Sequence, residues 1–404
     1  MVNIEALRDQ LAYAYQFPLY RKLWNKAQIE LNDIRNWDDW GRIPLLTRKD
    51  MIGAMREQPP YGGFWFDGPK RLHITPFPEL GTIPVLASMG DVHRSIDREA
   101  EVFRRAGFTQ DDVVQVTFGY TPFYTGMHFH LVAEAVGATV VPAGTGNAEQ
   151  QARWIAELGV TALITNPSFA LKVGSLLPKH HRVRLIYAGG EPLSAVEGYR
   201  EKLRSAFGGS GVTIVDSYGV SEVGMIATEC HAEKGLHVYS NAFLTEILDP
   251  ETAIPVPAGE VGELVVTQVK QEGFPFVRFR TGDLTRVVSD HCSCGGTLTL
   301  PKGILGRTDE VRKVKGVKLY PSQIALVLAG FPDISPRNYR VRLWVDGGTD
   351  HMELTIQSST GHVDEARLKE RMRSELLIAP NTLRVETLLA DGMQIIDERV
   401  KGAS

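Results

Sequence analysis

An α/β fold, with a large N-terminal domain carrying a β subdomain and a small C-terminal α+β domain, is predicted by three features of the 404-residue chain. Between about 110 and 230, short β-rich runs alternate with helical ones, the signature of a layered sheet with crossover helices. From about 236 to 300 the apolar period moves towards two, as in antiparallel strands. After Gly306 a shorter mixed segment begins. In order, LRDQLAYAYQ and RKLWNKAQIELNDI have helical apolar spacing, and RIPLLTRKDM sets Thr47 three residues before Asp50, an N-cap pattern. VVQVTF, ATVVPAG, TALITN, RLIYAGG and TIVDSYG read as strands. MHFHLVAEAVGA, AEQQARWIAELG, SFALKVGSLL and VEGYREKLRSAFG read as the helices between them. HVYSNAFLTEIL, GELVVTQV, FVRFRTGDLTRVV and TLTL form the β subdomain. RVRLWVD and MELTIQSS are the later strands, with VDEARLKERMRSELL as a helix.

Composition narrows the class. Apolar residues make up 43% and charged residues 23%, and 44 basic against 48 acidic side chains leave a net charge of −4. This is enough apolar material for a large core, and it argues against a disordered chain. No basic excess points to nucleic acid. No run reaches the roughly 18 apolar residues of a membrane span, and MVNIEALRDQ is too polar for a signal peptide. Three cysteines make a secreted disulfide framework an unfavourable reading. A cytoplasmic enzyme is the expectation.

Four segments carry chemistry. DSYGVSEVG (216–224) ends a strand with an aromatic ring, a glycine, a hydroxyl and a carboxylate, at the strand mouth where α/β sheets bind ligands. AGGEPLS (188–194) ends another strand in two glycines and Glu191. RFRTGDL (278–284) places Asp283 after a turn-forming glycine. GRTDEVRKVKGVKLYPSQI (306–324) brings Arg307, Asp309 and the Lys315–Gly316 pair. Separately, Cys230, Cys292 and Cys294 could join one histidine in a Cys₃His zinc site clamping the β subdomain. His237 is the preferred fourth ligand, with His231 and His291 as alternatives, and three reduced buried cysteines are the plainer reading. His128 and His130 lie on MHFH. A histidine beside a thioester could deprotonate a thiol, which makes His128 a candidate base, although packing is the commoner fate of such a residue.

In this order the segments resemble the adenylate-forming superfamily, and within it the phenylacetate–CoA ligase branch. The resemblance runs from YQFPLYRKLW to IIDER and includes GYTPFYTGMHFH and GNAEQQARWIAELGVTALITNPSFAL. It implies a large domain over 1–305 and a small mobile one over 306–404. It also implies an acyl adenylate made from a carboxylate and ATP, then captured by a pantetheine thiol. Carried over by position, Glu191, Asp216, Ser217, Tyr218 and Gly219 would line the adenine pocket, and Glu222 would face the metal. Asp283 and Arg307 would hold the ribose, Asp309 would be the hinge, and Gly316 would lie on the thiol tunnel. TFGYTPFYTG, through Tyr120, Phe123, Tyr124 and Gly126, would wall the acyl pocket.

Two departures from the family bear on the reaction. Where relatives carry a Ser/Thr/Gly-rich phosphate loop, this chain reads RLHITPFPELGTIPVLAS (71–88). Pro76 and Pro78 remove amide donors, Phe77 fills space and Glu79 adds negative charge. Where relatives place a lysine before Ile-Asp, this chain has ADGMQIIDER, so the position falls on Asp391 or, with a gap, Met393; Lys401 lies beyond the motif. Weak ATP and magnesium binding is therefore expected. The leading expectation is ATP-independent transfer of an aromatic acyl group from acyl-CoA to an acyl carrier protein or another thiol, with coenzyme A held by the adenine and ribose residues. The alternatives are an AMP-forming aryl-CoA ligase and a non-catalytic carrier-binding scaffold.

Overall fold

The computed structural model describes residues 4–77, 81–289, 291–308, 312–315, 317–319, 321–347, 349–389 and 393–399. By internal contacts the chain divides into two compact units. The larger comprises Met1–Leu193, Glu201–Thr281 and Thr285–Gly303, and the smaller Ser194–Arg200, Gly282–Leu284 and Ile304–Ser404.

In the larger unit, β1 (Lys70–Phe77) and β2 (Gly81–Ser88) form an antiparallel hairpin. β3 (Val113–Val116), β4 (Thr139–Val141), β5 (Ala162–Thr165), β6 (Leu185–Gly189) and β7 (Thr213–Val220) pair in parallel in the order 4-3-5-6-7. Every residue of β5 and β6 is buried, as expected of strands covered on both faces by crossover helices. The chain runs from β3 outward to β4 and returns past β3 to β5, so the strand order reverses between β3 and β5. Ligands of open α/β sheets bind at the carboxyl ends of strands beside such a reversal. The loop at 117–123 and Asn166 follow the carboxyl ends of β3 and β5 at this reversal, and the loops at 190–193 and 221–223 follow β6 and β7 on the same edge.

The antiparallel strands depart from the expected arrangement. β8 (Gly224–Thr228) turns straight back along β7, and β9 (Leu236–Val238) pairs with it. β10 (Phe243–Leu248) and β11 (Gly262–Gln268) pair together elsewhere. β12 (Phe279–Thr285) follows, and β13 (Val288–Ser289) and β14 (Leu298–Leu300) continue the main sheet beyond β9. Thus β9, β13 and β14 extend the nine-stranded sheet rather than join a separate β subdomain. The cause is local: the turn at 221–223 is short enough to force β8 against its own predecessor.

Helix ends follow their sequence signals. Thr47 and Asp50 form a reciprocal capping box on the Arg48–Glu57 helix. Ser88 caps the Met89–Ala106 helix, which stops at Gly107 in the left-handed region. That helix buries Asp91, Val92, Glu99, Ala100, Phe103 and Ala106, two of them acids.

In the smaller unit, β15 (Gly306–Arg307) pairs with Asp283 and Leu284 of β12. β16 (Arg312–Val314) and β17 (Val317–Leu319) make a hairpin. β18 (Ile334–Asp346), β19 (Thr349–Ser358), β20 (Thr382–Glu386) and β21 (Met393–Asp397) form a sheet in the order 20-19-18-21. Tyr339, Val341 and Leu343 of β18 alternate inward and pack with Leu368 and Met372 of the Glu365–Leu376 helix. Among the described residues no helix is long and apolar enough to cross a membrane.

Candidate functional site

The β7 mouth is held by its own backbone. The Ser217 hydroxyl donates to Ala188 O at 2.8 Å, tying β7 to β6. The Asp216 amide donates to Glu229 at 2.8 Å. The register slips between Tyr218 and Gly219, and a Cβ on Gly219 would lie 2.6 Å from Gly224 O, so only glycine fits. Glu191 accepts from the amide and the hydroxyl of Ser168, at 3.0 and 2.7 Å. Asp216, Ser217, Tyr218 and Glu222 are buried. Glu222 is held by Arg48, whose Nε donates to Oε1 at 2.5 Å. Arg48 also donates to Thr281 O and lies over the Phe279 ring. Glu222 therefore meets a guanidinium where the resemblance implied a metal.

A cavity of about 280 Å³ opens beside Ser221–Gly224. Arg71 and His73 of β1, Arg98 of the Met89–Ala106 helix, and Tyr124 and His128 of the Tyr124–Val136 helix all line it. His128 Nε2 lies 2.8 Å from Glu99 Oε2, and both side chains are buried (1% and 0% exposed). Tyr124 stacks on the His128 ring at 4.2 Å. His128, the candidate base, thus has its Nε2 engaged by a buried carboxylate. His130, two residues on, faces Tyr120 and Glu134 instead. Burial, and then the Glu99 charge, raises the Tyr124 hydroxyl far above its ordinary range. Burial, and then the Arg71 charge, lowers His73 to about 4.

The expected acyl wall separates. Tyr124 lines the cavity, whereas Tyr120 and Phe123 are 37% and 40% exposed and lie outside its lining. Gly126 has a packing reason: a Cβ there would stand 2.2 Å from Gly119 O. In the smaller unit, Arg307 donates to Asp283 at 2.9 Å, and the Thr308 amide donates to Gly282 O. Backbone pairing in the β1–β2 hairpin runs to Phe77↔Gly81, so 75–77 and 81–83 form a ladder rather than an open anion nest. Pro78, Glu79, Asp309, Gly316 and Asp391 lie outside the described residues, as do the side chains of Pro76, Phe77 and Met393.

Cys230, His237, Cys292 and Cys294 converge, with their ligand atoms all within 4.8 Å of one another. Cys230 follows β8, His237 is in β9, and Cys292 and Cys294 lie in the turn between β13 and β14, so the sheet extension assembles the group. His237 Nδ1 meets Thr299 Oγ1 at 3.2 Å, while its Nε2 is buried without a hydrogen-bond partner. Gly296 leaves room for the ring, because a Cβ there would lie 2.4 Å from Nδ1. Burial pushes the Cys230 thiol up to about 12. His231 turns away to Arg105 O.

A family model described as AMP-binding enzyme matches residues 87–270, and one described as AMP-binding enzyme C-terminal domain matches 316–388. A phenylacetate–coenzyme A ligase of Thermus thermophilus is 32% identical over 371 residues, covering 88% of this chain and 80% of that protein. The chain belongs to the phenylacetate–coenzyme A ligase family. The Escherichia coli member is 27% identical over 402 residues, covering 95% of this chain and 85% of that protein. A structure of 2-hydroxyisobutyryl-CoA ligase in the postadenylation state superposes with a TM-score of 0.83 at 21% identity, over 98% of this chain and 89% of that one. It is a likeness of fold, with a large N-terminal and a small C-terminal domain.

These findings do not support the leading expectation of ATP-independent acyl transfer; membership of a ligase family favours the AMP-forming alternative. Two features of the site went unread in the sequence. The Arg48–Glu222 pair spans 174 residues and had no local signal. Glu99 is the other, although helical spacing sets it on the Val92–Phe103 apolar face.

Proposed function

We propose that this protein is an AMP-forming acyl-CoA ligase. A carboxylic acid and ATP would give an acyl adenylate and pyrophosphate, and the CoA thiol would then displace AMP to form the thioester. The observation that carries this reading is the 32% identity to a phenylacetate–coenzyme A ligase over 88% of the chain. On it, Glu191 and Asp216–Gly219 line the adenine site at the β7 mouth, where Gly219 lets backbone approach the ligand. Asp283 and Arg307 take the ribose, a carboxylate accepting from a vicinal diol and a guanidinium completing the contact. Gly316 lies on the thiol path, Asp309 is the hinge, and 1–305 and 306–404 are the two domains. Tyr124 and Gly126 shape the acyl side, with Tyr120 and Phe123 nearer its rim. Glu222 Oε1 is engaged by Arg48. So placed, it does not fit a magnesium ligand.

The same reading includes a structural zinc on Cys230, His237, Cys292 and Cys294. The unpartnered, buried His237 Nε2 favours an ion, and Thr299 on Nδ1 would fix the ring for it. Three thiolates and one imidazole close a tetrahedral site and leave no position for substrate, so such a zinc would hold β8, β9 and the β13–β14 turn together.

Acyl transfer between thiols stays as a second reading because of one observation, the TPFPEL segment with Asp391 in place of a lysine. One experiment separates the two. With phenylacetate or another aryl acid, ATP and CoA, the ligase releases AMP and forms the thioester. With preformed aryl-CoA and a holo carrier protein but no ATP, it leaves the carrier unmodified. The opposite pair of results would favour transfer.

A further inference from the structure

We propose that the cavity beside Ser221–Gly224 is the acyl pocket, and that it selects carboxylic acids bearing a hydrogen-bond-accepting oxygen remote from the reacting carboxylate. This inference rests on the ligase reading and deepens it. The argument begins with the strand. Arg71 and His73 are two apart on β1, so both side chains project from one face of the hairpin, opposite Ala87 and Val85 of β2. The facing helix contributes Arg98 one turn beyond Arg94. Phe243, Phe274 and Phe276 complete an apolar side that suits a ring or short chain.

The polar groups of this lining are unevenly satisfied. The carboxylates have partners: Asp91 accepts from Arg94 and from the amides of Glu272 and Gly273, and Glu222 accepts from Arg48. Two of the guanidinium groups are less well served. Arg98 lies over the rings of Tyr239 and Phe243, and among the described residues its guanidinium has one carboxylate contact, Glu99 at 3.6 Å, beyond hydrogen-bond distance. Arg71 is half-buried and makes no ion pair among the described residues. A guanidinium carries only donors, so what the lining lacks is an acceptor. A hydrocarbon acid would offer neither guanidinium an acceptor. An acid with a hydroxyl or a second carboxylate would supply one, and sites built around such a donor discriminate strongly against analogues that lack the oxygen.

The test uses the full-length protein and three matched acids: phenylacetate, para-hydroxyphenylacetate and para-carboxyphenylacetate. Calorimetry without ATP should show at least one oxygen-bearing acid binding about ten-fold or more tightly than phenylacetate. Which of the two is preferred identifies the oxygen as hydroxyl or carboxylate. Arg98→Met, which keeps the apolar stem, should bring all three acids to within about two-fold of one another. If that variant does not fold, Arg71→Met should narrow the gap on the same wall. Phenylacetate binding as tightly as the others, no binding of any acid, or a variant that weakens all three equally would overturn the proposal. The ligase reading is scored separately by AMP release. AMP formed without oxygen discrimination removes the pocket and keeps the ligase, whereas discrimination in binding with no AMP from any acid does the reverse.

Discussion

Two buried polar clusters of the larger unit solve the same problem in different ways. Around Glu99 the protein supplies its own partners: His128 lies at 2.8 Å and Arg98 within ion-pair range. Around His237 three thiols and an imidazole converge, and the imidazole Nε2 has no partner at all. The first cluster joins two helices through the His128–Glu99 hydrogen bond, with Arg98 beside the carboxylate. The second gathers three sulfurs and one nitrogen within 4.8 Å of one another, the arrangement a cation would complete. Removing one member should therefore strand a charge in the first cluster and release an ion from the second.

The largest effect expected is Glu99→Ala. It leaves His128 and Arg98 facing an uncompensated hole, and breaking a buried pair from one side costs ~3–5 kcal/mol. Denaturant unfolding measures it, and a loss below about 1 kcal/mol would mean that the pair is not held as described. Next is Cys292→Ser. Purified wild type should carry about one zinc per chain, and the variant should lose it together with stability on the order of 2–4 kcal/mol. Wild type that is metal-free, and unchanged by chelators, would dissolve the contrast between the clusters.

His73 gives a pH signature on the cavity side. Its ordinary value is 6.5, and burial with Arg71 nearby lowers it to about 4 in the folded protein. As pH falls below 6.5 the unfolded chain takes up this proton first. The group's contribution is thus full above that value and is lost between 6.5 and about 4, by up to ~3 kcal/mol. His73→Asn should flatten that part of the stability profile, and an unaltered profile would place the acid sensitivity elsewhere. The smallest effect expected is Gly126→Ala. Alanine normally improves a helix, but here its Cβ would meet Gly119 O at 2.2 Å, so a loss of ~1–3 kcal/mol is expected in thermal or denaturant unfolding.

Which of these features could be read in the sequence follows from how local their causes are. The βα rhythm from Val113 to Val220 was legible because each strand and helix carries its own period. The Thr47 cap was legible because its partner is three residues away. Cys292 and Cys294 announced a cluster through their spacing, but only the pairing of β9 with β8 and β14 brings His237 to them. The β1–β2 hairpin was obscured by three prolines at 76, 78 and 84, which read as loop although Arg71, His73 and Thr75 alternate as a strand should. The antiparallel tail of the main sheet was misplaced because period two marks a strand without saying which neighbour it joins. Glu99 and Arg48 find their partners only through tertiary structure, and no pattern in one chain announces that.

The central claim is that an acyl adenylate forms. Label transfer tests it most directly: an aryl acid with heavy oxygen in its carboxylate is incubated with the protein, ATP and CoA, and the nucleotide product is weighed by mass spectrometry. The carboxylate oxygen that attacks the α-phosphorus stays with the phosphate when the thiol displaces AMP, so AMP carrying one heavy oxygen is the predicted result. Thioester formation with no AMP, or with AMP that is entirely unlabelled, would contradict the account.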